Sequence, residues 1–178
     1  MSHSIDVVLK NGTKSVIRRF TRDDKERVIY MMSSLSEEAV RWGMPPYTRH
    51  RLERGWWSNF DNLLALVAEC ENRIVGYAQI RKQTHPRRKG VGGFLIYLHQ
   101  DYHNLGLGTE MTRTIIELAT QENMHKINLE VVADNEIAVH VYEKLGFTIE
   151  GIIKDSYYGD DDRYHDEIQM GLKLSENP

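Results

Sequence analysis

The chain has 178 residues, 40% apolar and 28% charged, with a formal net charge of -3. That composition suits one domain with a real core and excludes a disordered chain. The slight acidity excludes a general basic footprint for nucleic acid, no apolar run approaches the about 20 residues that cross a bilayer, and Met1-Ser2-His3-Ser4 lacks the stretches of a signal peptide, so a cytoplasmic protein without nucleic-acid or membrane partners is expected.

In chain order, Val7–Lys10 and Ser15–Arg18 flank Asn11-Gly12, a dipeptide that favours a two-residue type I′ hairpin turn. Thr21 with Asp24 three residues on resembles a capping box ahead of a helix through Val28, Ile29 and Met32. Ser36 with Glu37 and Glu38 opens a short second helix, which Pro45-Pro46 breaks. Thr48 caps a third, reaching about Asn59 with Leu52 and Trp56 on one face. Leu63–Cys70 and Arg73–Arg81 read as strands joined by a tight turn at Glu71-Asn72. Cys70 is the only cysteine, which rules out an internal disulfide, and it reads as a small buried hydrophobe.

Gln83–Gly90 is a basic loop, Val91–His99 a buried strand and Gly106–Gln121 a helix. Lys126–Ala133 alternates as a strand. Asn135 caps a helix whose core face is expected to carry Ile137, Ala138, Val141 and Leu145, and Gly146 fits the left-handed position after it. Phe147–Ile153 and Arg163–Leu172 close the chain as a hairpin around the acidic turn Gly159–Asp162. Interleaved helices and strands predict a mixed α/β (α+β) class in one layered domain spanning residues 1–178.

Two constellations carry chemistry. The first is His103-Asn104-Leu105-Gly106-Leu107-Gly108-Thr109, between a strand and a helix. Glycines allow close approach of a phosphate, and the free N–H groups of a first helical turn point at it. No Gly-Lys-Ser/Thr follows, so it is not a P-loop, and Met111 stands where a dinucleotide fingerprint needs its third glycine. On these residues alone a plain tight turn remains open. The second constellation is Glu130, mid-strand and facing away from Leu129 and Val131, with Tyr142 on the following helix. A carboxylate and a phenol make a workable base and acid. An exposed strand glutamate and a core tyrosine are the structural alternatives.

Together these motifs resemble the GCN5-related N-acetyltransferase (GNAT) superfamily. Leu98–Gly108 is similar to its acetyl-CoA pyrophosphate loop. Leu129–Phe147, with Asn135 and the ending Tyr142-Glu143-Lys144-Leu145-Gly146-Phe147, is similar to its next strand and helix. The resemblance covers about Lys14–Leu172. It implies a single acetyltransferase domain with a mixed sheet of about six to seven strands, helices on both faces, and a splayed strand pair holding acetyl-CoA. Amides from about Leu105 to Thr109 would hold the pyrophosphate, with His103 and Asn104 opening the loop. Tyr97 and Leu98 would pair with the pantetheine arm, Asn135 would contact the cofactor, Tyr142 would serve as acid and Glu130 as base.

His103 and Asn104 replace the usual Gln/Arg and Gly of that loop, and Gly93 falls where many members carry a glutamate. Glu69, His99 or a water chain are rival bases. The amine acceptor, a small molecule or a protein lysine or N-terminus, would meet Trp42, Met44, Tyr47, Trp56, Trp57, Tyr157 and Tyr158, with Trp56 and Trp57 as core or lid packing the structural alternative and Asp160–Asp162 as a solvated turn. A non-catalytic acyl-CoA-binding module is the alternative of another class. Members of the family often pair, so a homodimer is an open expectation. His99 and His103 have no third ligand beside them, and no metal site is expected.

Overall fold

The computed structural model describes residues 4–174. Met1–His3, read above as lacking signal features, lie outside that range, as do residues 175–178. Among the described residues eight strands occur: β1 (Ser4–Val8), β2 (Lys14–Arg19), β3 (Leu63–Cys70), β4 (Arg73–Lys82), β5 (Val91–Leu98), β6 (Lys126–Val132), β7 (Thr148–Tyr158) and β8 (Tyr164–Lys173). The helices are α1 (Lys25–Ser33), α2 (Glu37–Val40), α3 (Arg49–Arg51), α4 (Leu107–Gln121) and α5 (Glu136–Lys144).

All eight strands form one sheet in the order β1-β2-β3-β4-β5-β6-β8-β7. This exceeds the expected six to seven. Both terminal hairpins join the sheet in full, and β7 runs five residues past its expected end at Ile153. Every pairing is antiparallel except β5 with β6.

Strand alternation divides the interior into two cores, as the period of two requires. Leu64, Leu66, Ala68 and Cys70 of β3 face one side with Leu107, Met111, Ile115 and Leu118 of α4. Ala65 and Val67 face the other, against Val28, Met31 and Met32 of α1, Leu52 and Trp57. Asp24 precedes α1 with its carboxylate accepting from the Thr21 N–H at 2.9 Å and from Arg18 at 2.7 and 2.8 Å.

Several local expectations shift. The type I′ geometry, with positive φ at both central residues, belongs to Glu71 (46°) and Asn72 (62°), not to Asn11-Gly12. At the first hairpin the Leu9 N–H donates to the Thr13 carbonyl at 2.8 Å, which leaves a three-residue loop with only Gly12 left-handed. The Lys10 N–H then reaches the Leu105 carbonyl at 3.1 Å, so that loop braces the glycine turn. The third helix is only α3 followed by a wider turn over Leu52–Trp56, in which the Trp57 N–H bonds the Leu52 carbonyl five residues back. On α5, Ile137 is 68% exposed, whereas Ala138, Val139, Tyr142 and Leu145 pack on the core.

Candidate active site

β5 and β6 pair only over Val91–Gly93 and Lys126–Asn128. Beyond that point the two strands have no mutual pairing, and this is the splay the resemblance implies. Asn128 sits at its vertex, with Oδ1 buried and without a hydrogen bond among the described residues. Gly93 is its partner, and a Cβ built there meets nothing within 4 Å.

β5 runs from the splay into the glycine turn. Its last carbonyl, on Leu98, accepts from His103 Nε2 at 3.0 Å, so the imidazole secures the strand end. Asn104 (φ 59°) and Gly106 (φ 90°) are both left-handed. A side chain strains that backbone at most residues; Asn tolerates it and Gly is free of it. α4 starts one residue later than expected, at Leu107, with Gly106 at its N-cap and no side chain capping it. Among the described residues, the amides of Asn104, Leu105, Gly106, Leu107, Gly108 and Thr109 donate no hydrogen bond. Consecutive free amides at the positive end of a 15-residue helix can grip a diphosphate by main chain alone. The residues therefore fit the pyrophosphate of an acyl-CoA, and the altered His103 and Asn104 preserve that cradle.

Tyr142 lies on α5 facing Phe94 of the diverging β5, ring centroids 6.1 Å apart and perpendicular, with Phe147 at 5.8 Å. Burial pushes its phenol up to about 12. Asn135 caps α5 by accepting from the Ala138 N–H at 3.4 Å. Glu130 points to the opposite face of β6 from Leu129 and Val131, as alternation predicts. It is exposed and accepts from Gln169 Nε2 on β8 at 3.3 Å.

Two rival bases are otherwise engaged. Glu69 binds Arg18 at 2.9 Å and Arg27 at 3.1 Å, and the hydrogen bond from Arg27, with that from Arg18, holds its carboxyl below the usual range. His99 is buried beside Tyr102 and Gln100.

The expected acceptor aromatics separate into two groups. Trp57 belongs to the core, its indole N–H donating to the Tyr77 hydroxyl at 2.9 Å. Trp56 stacks on Tyr77 and Tyr97, both at 5.5 Å. The Tyr47 hydroxyl donates to that of Tyr97 at 2.7 Å, and burial raises both phenols. Next to this pair a cavity of about 740 Å³ opens between α2, the Met44-Pro45 loop and the β7–β8 turn, with Arg41, Gly43, Met44, Tyr157 and Asp160 in its lining. Gly43 joins the two, since a Cβ there would come within 3.1 Å of the Tyr97 ring. The Tyr157 hydroxyl shares its proton between the Arg41 and Gly43 carbonyls at 2.8 and 2.7 Å.

One correction concerns the acidic turn. Asp161 is not simply solvated, because it binds both Arg163 at 2.6 Å and His165 at 2.8 Å. His165 was not singled out from the sequence. Its position four residues after an aspartate was the available signal, but its second carboxylate partner, Asp134, comes from 31 residues away. Among the described residues no cluster of three or more His, Cys, Asp or Glu side chains has the arrangement of a metal site, and no helix is long and apolar enough to cross a membrane.

A model of the acetyltransferase (GNAT) family matches residues 29–147, from α1 through the end of α5. The chain belongs to the GNAT acetyltransferase family. Within it, the chain is 30% identical over 105 residues to the spermidine N(1)-acetyltransferase of Escherichia coli, a match covering 58% of this chain and 55% of that protein. It is 37% identical over 87 residues to the L-amino acid N-acetyltransferase AaaT of the same organism, covering 48% and 54%. The chain thus spans about half the length of the curated relatives it matches. A GNAT-family acetyltransferase structure from Streptococcus pneumoniae superposes with a TM-score of 0.77 at 24% identity, covering 90% of this chain and 99% of that one, which shows a shared GNAT fold.

Proposed function

We propose that this GNAT protein transfers an acetyl group from acetyl-CoA to a primary amine by direct attack in a ternary complex. The run of unbonded amides at Asn104–Thr109, at the end of the strand splay, carries this reading. Those amides, with the Tyr97-Leu98 strand end and Asn135, would hold the nucleotide. Acetyl-CoA supplies an activated thioester when bound.

The chain's own residues supply the proton chemistry. A lysine-type amine has a pKa of about 10.4 and is mostly protonated at neutral pH, so it needs a base before it can attack. Glu130, or a water that it polarises, takes that proton. Tyr142 keeps its own proton on Oη and presents it to the cleft as a hydrogen-bond donor, which suits stabilisation of developing negative charge better than full transfer. The cavity beside Gly43 receives the acceptor. Relatives named for spermidine and for L-amino acids support a small amine; acetylation of a protein lysine or N-terminus is the other form of the same reaction.

Calorimetry with CoA, followed by thiol release from acetyl-CoA with spermidine, a free L-amino acid and an alanine-terminated peptide, tests the proposal. Saturable CoA binding and release with at least one amine are expected. Binding without release across the panel points to an acyl-CoA-binding module, and no binding removes the reading.

A further inference from the structure

His165 has no part in the scheme above, yet it lies directly behind the cavity-lining residues Tyr157 and Gly159. It sits on β8, 9% exposed, with a carboxylate at each ring nitrogen: Nδ1 lies 2.5 Å from Asp134 Oδ2 and Nε2 2.8 Å from Asp161 Oδ1. A neutral imidazole has one N–H to donate, so two carboxylate acceptors at these distances call for the doubly protonated ring. The aspartates come from separate elements. Asp134 belongs to the β6–α5 turn, next to Asn135, and Asp161 to the β7–β8 turn. Gly159 lets the turn close on the ring, because a Cβ there would stand 2.7 Å from both His165 Nε2 and Asp161 Oδ1. Over the imidazole lie Trp42, edge-on at 5.2 Å, and Tyr157 at 6.4 Å. Trp42 carries the Arg41 guanidinium at 4.8 Å, and Arg41 reaches Asp160 of the same turn at 3.6 Å.

We propose that His165, clamped as an imidazolium between Asp134 and Asp161, is a positioning residue for the amine-acceptor cavity. It ties the β7–β8 turn to the β6–α5 junction and so sets the lining residue Tyr157, on which Trp42 packs. Its consequence for turnover rests on the acetyltransferase reading; the clamp itself does not.

The groups facing the ring set its pH response. They are Asp134 and Asp161, Arg163 bonded to Asp161, and Asp166, which feels the imidazolium charge; Arg41 and Asp160 lie beyond Trp42. Hydrogen bonds donated to Asp161 and then to Asp134 raise the histidine pKa above its usual value, against a smaller opposing effect of burial. A raised pKa means the clamp is complete below the ordinary histidine range and is lost as pH rises through the shifted value.

Three measurements on the full chain test this. Nitrogen NMR of the unsubstituted protein at pH 7 is expected to find both His165 ring nitrogens protonated; a neutral tautomer overturns the clamp without any variant. His165→Ala is expected to raise the KM of the turned-over panel amine about tenfold, the equivalent of one charge-assisted hydrogen bond, with the CoA dissociation constant little changed. Unchanged acceptor KM, or equal weakening of acceptor and CoA, overturns the positioning role. In the unsubstituted protein the acceptor KM is expected to rise on the alkaline side, and His165→Gln to abolish that rise; identical pH profiles also overturn it. If no panel amine is turned over, the acetyltransferase reading fails on its own, and the nitrogen spectrum still decides the clamp.

Discussion

Tyr142 keeps its proton because its phenol is packed between Phe94 and Phe147, where an anion would be poorly solvated. Tyr142→Phe should therefore lower kcat about a hundredfold, in the range of a lost donor to developing negative charge, with CoA affinity nearly unchanged in calorimetry. Glu130→Gln should slow turnover most near neutral pH, where the acceptor amine carries its proton. A Cβ on Gly93, at the vertex of the splay, meets no heavy atom within 4 Å, so the position accepts the first atom of a side chain. Gly93→Glu in the Glu130→Gln background should thus recover part of the rate, measured by thiol release from pH 6 to 9. Asp24 is a structural counterpart, 3% exposed. Burial alone would raise its carboxyl, but hydrogen bonds from Arg18 and Thr21 outweigh that and hold it low. The stabilisation is present above the unfolded carboxyl value of about 3.9 and is lost as pH falls through the folded one. Asp24→Asn should cost about 2 kcal/mol in urea unfolding at pH 7, because the charge-assisted bonds from Arg18 are weakened while Arg18 keeps Glu69, with the deficit narrowing near pH 3.

At the scale of elements, the glycine turn and its helix act together. Gly106→Ala forces a Cβ into a left-handed backbone at about 1 kcal/mol, and it rotates the amides that would face the diphosphate. CoA affinity should fall about tenfold by calorimetry, with a small loss of thermal stability. This turn was legible in the sequence because every part of it is local: the apolar strand, the glycine spacing and the helical period lie within about twenty consecutive residues. Local rules failed where a distant contact intervened. Asn11-Gly12 has the composition of a type I′ turn, but its loop is drawn to the Leu105 carbonyl, whereas Glu71-Asn72 adopts that turn under the pull of a long β3–β4 register. Ile137 suits a helical core face by type; the direction in which α5 leaves the Asn135 cap turns it outward.

Across the whole molecule, the glycine turn, the splay and the proposed acceptor cavity are held by one sheet with a core on each face, so occupancy of the proposed nucleotide site should be felt globally. A ligand at about a hundred times its dissociation constant adds about 2.7 kcal/mol of stability. For a chain of this size that is a rise in Tm of about 5 to 10 °C with CoA, readable by calorimetric melting, and Gly106→Ala should blunt it. The class of fold, the order of its strands and helices and the main-chain cradle were determined by the amino-acid sequence itself, because periodicity, caps and glycine spacing act over neighbouring residues. Tertiary structure alone decided the unequal burial of Trp56 and Trp57 against one core, the occupation of Glu69 by two arginines, the opening beside Gly93, and the union of Asp134, Asp161 and His165. Those depend on which strand lies beside which and where their pairing stops, and a carboxylate finds its partner through space rather than along the chain.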